Sequence, residues 1–186
     1  MNHPLIGELD RDGWSAQGMV EWSFWSDFEN ECEPSQKREP GQIVISIRLE
    51  EDNDISPAQD QAIRYLFDNP AVFEQKLIET IFDYYKHNVE GGIDIYSDSE
   101  EERIAWIQAH VPVIEAKEEL QRLIRHSAIF VHKNDKDGIA FVGFAFDCSW
   151  DDEHGAGVLM HRDSVLAVGH DDKAFDEAVS SKFAKG

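Results

Sequence analysis

An α+β fold is predicted for this chain by three observations: β-patterned segments near both ends, helix signals confined to the middle, and a last third of apolar strands joined by short polar turns. Strands, then helices, then strands is the order of an antiparallel sheet with segregated helices, not of an alternating parallel α/β sheet. The predicted architecture is N-terminal antiparallel strands, central helices and a C-terminal antiparallel β-meander. With 186 residues, 41% of them hydrophobic and 11% aromatic, the chain has the material for one core, and a single domain over 1–186 is expected.

The first strand is expected at Leu5-Ile6-Gly7-Glu8-Leu9, followed by a hairpin turn signal at Asp10-Arg11-Asp12-Gly13. In Gly18 to Trp25, Val20, Trp22 and Phe24 alternate with Glu21 and Ser23, the period of a half-buried strand. Trp14, Trp22 and Trp25 are expected to pack in the core and sheet, since aromatic residues are enriched in strands. Glu29 to Gly41 carries two prolines and reads as a loop. The β-branched run Gln42 to Leu49 is the next strand, ended by the acidic run Glu50 to Asp54.

Ser56-Pro57-Ala58-Gln59 opens the helical middle with a cap serine, a proline in the first turn and a capping-box glutamine. That helix should run to about Asp68, because the residue before Pro70 avoids the helical region. A second helix is expected from Pro70 to His87, with Val72, Leu77, Ile78, Ile81, Phe82 and Tyr85 at helical spacing. Ser99-Glu100-Glu101-Glu102 caps a third through about Ala109. Ala116 to Arg125 is expected as a short fourth. Then come strands at Ser127 to His132, Ile139 to Cys148, Gly157 to His161 and Ser164 to Val168, with a helical or frayed end. The last strands are apolar on both sides, which predicts cover on both faces.

Charge narrows the function classes. Seventeen Lys and Arg against 38 Asp and Glu leave a net charge of −21, which repels nucleic-acid backbones and anionic lipid and attracts basic partners. The chain shows no N-terminal apolar signal region and no apolar run of the length that spans a bilayer, so a cytoplasmic protein is expected, with no nucleic acid and no membrane among its partners. Cys32 and Cys148 form no paired motif and are expected as reduced thiols. Nothing in the pattern specifies an oligomeric state.

Cys148-Ser149-Trp150-Asp151-Asp152-Glu153-His154-Gly155-Ala156-Gly157 is richer than a connector requires. If the last strands form a meander with a two-residue Arg162-Asp163 loop, His161 faces Ser164 and Gly155 faces His170. Gly169-His170-Asp171-Asp172 then lies beside the Trp150 turn. The candidate binding residues are therefore Trp150, Asp151, Glu153, His154, Gly155, His170 and Asp171. No cofactor is predicted, but Asp151, Glu153, His154 and His170 could hold a divalent metal such as Mg²⁺, Mn²⁺ or Zn²⁺. The spacing matches no metal motif, Ser149 is not in a nucleophile elbow, and Cys148 falls on an apolar strand face. Those features weigh against an enzyme. The structural reading of the same turn has Asp151 and Glu153 bonding turn amides and its glycines at positive φ. At the opposite sheet end His132, Asn134, Asp135, Asp137, His161 and Asp163 read as polar turns.

The run Phe146 to Val158, with Val165, Val168-Gly169 and Asp171 after it and His3-Pro4-Leu5-Ile6-Gly7-Glu8-Leu9 at the start, resembles a family of uncharacterised bacterial domains with a C-terminal W-D-x-E-H-G-x-G signature. The resemblance implies membership and a bacterial cytoplasmic setting, and transfers no activity. The expected function is a non-enzymatic acidic module that binds a basic protein, as immunity proteins do. The alternatives are a metal-dependent hydrolase built on 151–154 and 170–171, and a structural module with no ligand.

Overall fold

In the computed structural model, which describes residues 1–31, 38–50, 54–93, 97 and 99–184, a small hairpin of β1 (Asn2–His3) and β2 (Gly7–Glu8) precedes a seven-stranded sheet. The sheet consists of β3 (Asp10–Arg11), β4 (Ser15–Glu21), β5 (Gln42–Arg48), β6 (Ile124–Lys136), β7 (Ile139–Cys148), β8 (Asp151–His161) and β9 (Ser164–Gly169), adjacent in chain order. Between β5 and β6 lie α1 (Pro57–Asp68), α2 (Pro70–Tyr84) and α3 (Glu100–His110). The short α4 (Asp172–Phe175) and α5 (Glu177–Ala184) follow β9. The fold is α+β, and residues 124–169 form the expected antiparallel meander. One junction departs from an all-antiparallel sheet. β5 and β6 are parallel, with Val44 beside Ala128 and Ile47 beside Val131. The helical middle is therefore a crossover that returns the chain to the same end of the sheet, the connection a parallel pair requires.

Local chemistry explains the start of α1. Ser56 Oγ accepts from the Gln59 amide while Gln59 Oε1 accepts from the Ser56 amide, a complete capping box. The same Gln59 side chain, buried at 2% exposure, donates from Nε2 to the carbonyls of Arg48 and His132, which fastens the helix start to β5 and β6. The second predicted helix is α2 extended by a π turn over Tyr85–Val89. At α3 only half of the expected box forms: Ser99 Oγ accepts from the Glu102 amide, while the Glu102 carboxylate accepts from Ser97.

The sheet is covered on both faces. Side chains alternate along β7, so Phe144 and Gly143 point to opposite sides. Phe144 meets Phe73 of α2, on the face that α1 and α2 pack. Gly143 lies under Ala174 of α4, and Phe130 of β6 meets Phe175 of that same helix at a tilt, with ring centroids 5.7 Å apart. Small residues at Gly143 and Gly157 let α4 sit against the strand backbone; a Cβ at Gly157 would come within 2.7 Å of the His170 carbonyl.

Several local expectations are corrected. The strand predicted over Gly18 to Trp25 ends at Glu21, and Ser23–Asp27 is a 3₁₀ turn. Aromatic packing overrides the alternation there. Trp25 turns into the core against Phe28, His126 and Phe146, while Phe24 is left 37% exposed. Trp14, expected in the sheet, stands 60% exposed at the Asp12-Gly13 turn. The helix expected over Ala116 to Arg125 is a 3₁₀ segment, Lys117–Arg122, and Ile124 already belongs to β6. Asn134 and Asp135 are in β6, and Asp137-Gly138 alone turns, both at positive φ. Cys32, and Glu51, Asp52 and Asn53 of the predicted acidic run, lie outside the described residues.

Candidate functional site

The run from Trp150 to Gly157 is mostly strand, not turn. Ser149 and Trp150 make the reversal, Cys148 faces Asp151, and β8 starts at once. The next pair is Phe146 with Ala156, so Asp152, Glu153, His154 and Gly155 all stand opposite Asp147. This wide bulge pushes the acids and His154 out of the sheet. Gly155 makes it possible. Its φ is +61°, and a Cβ there would run into the Phe146 carbonyl.

The register of β8 and β9 brings the second segment alongside. His161 faces Ser164 as predicted, but a bulge between Leu159 and Met160 slips the ladder by one, so Gly157 faces Gly169. Gly155 is therefore not directly opposite His170. The convergence survives the slip, because the Asp171 amide donates to the His154 carbonyl at 3.3 Å.

Asp151 is the centre of this corner. Its Oδ1 accepts from the His154 amide at 2.9 Å, the turn-amide bond expected of it, and lies 3.4 Å from His154 Nδ1. Its Oδ2 lies 3.1 Å from His170 Nδ1. The Asp151 side chain is 19% exposed, whereas those of His154 and His170 are 59% and 62% exposed. The two rings meet edge to face with centroids 5.5 Å apart. One ligand atom each from Asp151, His154 and His170 lies within 4.8 Å of the others. Glu153 is exposed and lines the same small hollow of about 110 Å³ without joining that cluster. Asp171 also borders it. Burial raises the Asp171 carboxyl above the usual range, the Asp172 amide and His154 oppose the rise, and the charges of Asp172 and Asp151 add to it.

Trp150 belongs elsewhere. It is 6% exposed and packs on the Tyr85 ring at 5.0 Å, so it anchors the reversal to the core. Ser149 Oγ donates to the His110 carbonyl. Cys148 is buried, and burial pushes its thiol well up, as do the charges of Asp147 and Asp151. Neither residue is set up as a nucleophile. At the opposite sheet end, His132 is fully buried, not in a polar turn: its ring nitrogens meet the Ala174 carbonyl and Ser180 Oγ, with Glu177 3.4 Å away.

A groove that sequence reasoning missed flanks the 3₁₀ turn. Phe24, Phe28 and Ile78 line an open hollow of about 420 Å³, bordered by Asp27, Glu74 and Glu118. Among the described residues the one base on this border, Lys117, lies 4.0 Å from Glu79. An adjoining hollow of about 260 Å³ shares Glu74 and adds Glu21 beside Trp22 and Phe67. Glu74 also accepts a 2.6 Å bond from Trp22 Nε1, which ties the turn to α2. The available signal was the aromatic density of Trp22 to Phe28 next to Asp27, which the strand assignment absorbed.

The fold and these two sites define a mixed-sheet α+β domain with a carboxylate–histidine corner and an acid-bordered groove. The chain belongs to the family described as a domain of unknown function, DUF6985, whose model matches residues 5–175. No curated protein and no solved structure matches it. Among the described residues, no helix is long and apolar enough to cross a membrane.

Proposed function

We propose that this domain is a non-enzymatic binding module that seats a basic, partly apolar segment of a partner protein in the groove of Phe24, Phe28 and Ile78. The observation that carries the reading is the pairing of that apolar floor with the acidic border of Asp27, Glu74 and Glu118 on a chain of net charge −21. The floor supplies the desolvated contact area, and the border attracts Lys and Arg while disfavouring acidic competitors. In charge and role this is the logic of an immunity protein.

A metal-dependent hydrolase draws less support from the geometry. The Asp151 corner borders only about 110 Å³ of space, far below the usual size of a small-molecule site. Its histidines stand in solvent, and the neighbouring Ser149 and Cys148 are committed to structure.

The test is capture of a partner at low salt by the full chain, with Phe24→Asp and an Asp27→Lys/Glu118→Lys double variant run in parallel. A stoichiometric basic protein that elutes as salt rises, and that both variants lose, supports the reading. Capture indifferent to salt and to both variants sinks it.

A further inference from the structure

We propose that Asp151, His154 and His170 form a surface binding site for a divalent transition metal, zinc above all. The inference stands independently of partner docking at the groove.

Two segments, β8 and the β9–α4 corner, place the ligands, each ligand with its own local reason. Asp151 is fixed at the first residue of β8 by the Cys148 pairing and by the bond it accepts from the His154 amide. His154 is thrown outward by the bulge that Gly155 permits. His170 follows the last residue of β9 just ahead of α4, and the bond from the Asp171 amide to the His154 carbonyl holds that corner against the bulge. Residues 19 positions apart therefore meet through backbone geometry and not through flexible reach alone.

Donor chemistry fits one ion, and one ligand atom from each residue lies within 4.8 Å of the other two, close enough for small side-chain rotations to gather them on it. Adjacent ligands on tetrahedral zinc, at bonds of about 2.0–2.1 Å, stand roughly 3.3 Å apart. Asp151 Oδ1 lies 3.4 Å from Nδ1 of His154, and Asp151 Oδ2, the other oxygen, 3.1 Å from Nδ1 of His170. Both imidazoles thus present the same nitrogen to one carboxylate. Two imidazoles with one carboxylate are a borderline donor set, which favours zinc and its transition-metal neighbours over magnesium or calcium. The bond from the His154 amide to Asp151 Oδ1 is the outer support that orients a ligating carboxylate. With three protein ligands and the histidines more than half exposed, coordination is completed from solvent. Glu153, on the same bulge, is not a ligand in this arrangement. A bound ion would staple the β8 bulge to the β9–α4 corner.

The full chain, stripped with chelator and exchanged into non-coordinating buffer, is titrated with ZnCl₂ by calorimetry, and melting is followed with and without zinc. The expected result is one ion per chain, a melting point raised by several degrees, and affinity weakened at least about tenfold by His154→Ala and by His170→Ala separately. Both residues are exposed, so both variants should fold. His87→Ala, at an exposed histidine on the π turn, serves as the control and should leave affinity unchanged. Absence of saturable binding, or binding that survives both single variants, overturns the site. Cobalt replacing zinc gives a second readout: ligand-field bands in the wild-type chain that vanish in the two variants support it, and spectra identical in all three overturn it.

Discussion

The Ala174 carbonyl oxygen lies over the Cα of Gly143 so closely that a methyl group at position 143 would overlap it. This contact seats α4 on the middle of the sheet. Replacing Gly143 with Ala must displace either β7 or α4, and both carry other contacts: Phe175 on Phe130, and the Ala174 carbonyl on buried His132. The Gly143→Ala variant is expected to lose about 2–4 kcal/mol, measured as a lowered urea midpoint. A loss under about 0.5 kcal/mol would show that the helix is not seated this tightly.

Trp150 tests the division between structure and function in the β7–β8 corner. Its ring packs on Tyr85, whose hydroxyl donates to the Pro112 carbonyl at 2.6 Å. Trp150→Ala should cost about 3–5 kcal/mol through the cavity it leaves. His154→Ala, at a side chain 59% exposed, should change stability by no more than about 0.5 kcal/mol in metal-free buffer. Equal losses from the two would refute the assignment of Trp150 to the core and His154 to the surface.

How far the sequence could be read follows from which residues decide each feature. The capping box at Ser56 and Gln59, the Pro70 boundary and the β-branched run of β5 are local signals, and each element formed where they pointed. The 3₁₀ turn at Ser23–Asp27 is decided by distant partners. Trp25 needs His126 and Phe146 to draw it inward, and Trp22 needs Glu74. No alternation within the segment encodes those contacts. The sheet-end convergence was legible because the His161–Ser164 hairpin is local, while its exact register was not, because the bulge at Leu159 and Met160 depends on neighbouring strands. Trp150 looked like part of the site because composition does not reveal which way a side chain points. The α2-side groove escaped because it is assembled from three separated stretches, around residues 24, 78 and 118.

His126 predicts a pH dependence. It is 2% exposed among Trp25, Phe144 and Phe146, and burial lowers its pKa from 6.5 to about 3; the Ala128 backbone opposes the shift and the Arg38 charge adds to it. Between those values the unfolded chain binds a proton that the folded chain refuses, so stability falls as pH drops through this window. The slope is about 1.4 kcal/mol per pH unit, or roughly 2 kcal/mol between pH 7 and pH 5. His126→Phe keeps the aromatic packing and removes the titration. Denaturation of both proteins at pH 7 and pH 5 should show the wild type losing about that much more than the variant. Parallel losses would mean that the ring is protonated in the fold.

The groove makes a prediction in which rate and stability separate. Asp27 and Glu118 border the hollow, and both are exposed. Reversing both to Lys changes the local charge by about four units, counted as two for each residue, without touching Phe28 or Ile78 beneath. Because steering acts on encounter, the double variant should slow association with a basic partner by about tenfold at low salt, and the difference should shrink as salt screens the field. Folding stability should stay within about 1 kcal/mol of the wild type, since both side chains are exposed and only Glu118, in the first turn of the 3₁₀ segment, loses a favourable position. Phe24→Asp should act differently, raising the dissociation rate while leaving the salt dependence of association in place. Stopped-flow association across a salt series separates the two effects. If charge reversal at the border leaves the association rate unaltered at every salt concentration, the acidic border does not steer the partner, and the groove loses its claim to be the docking site.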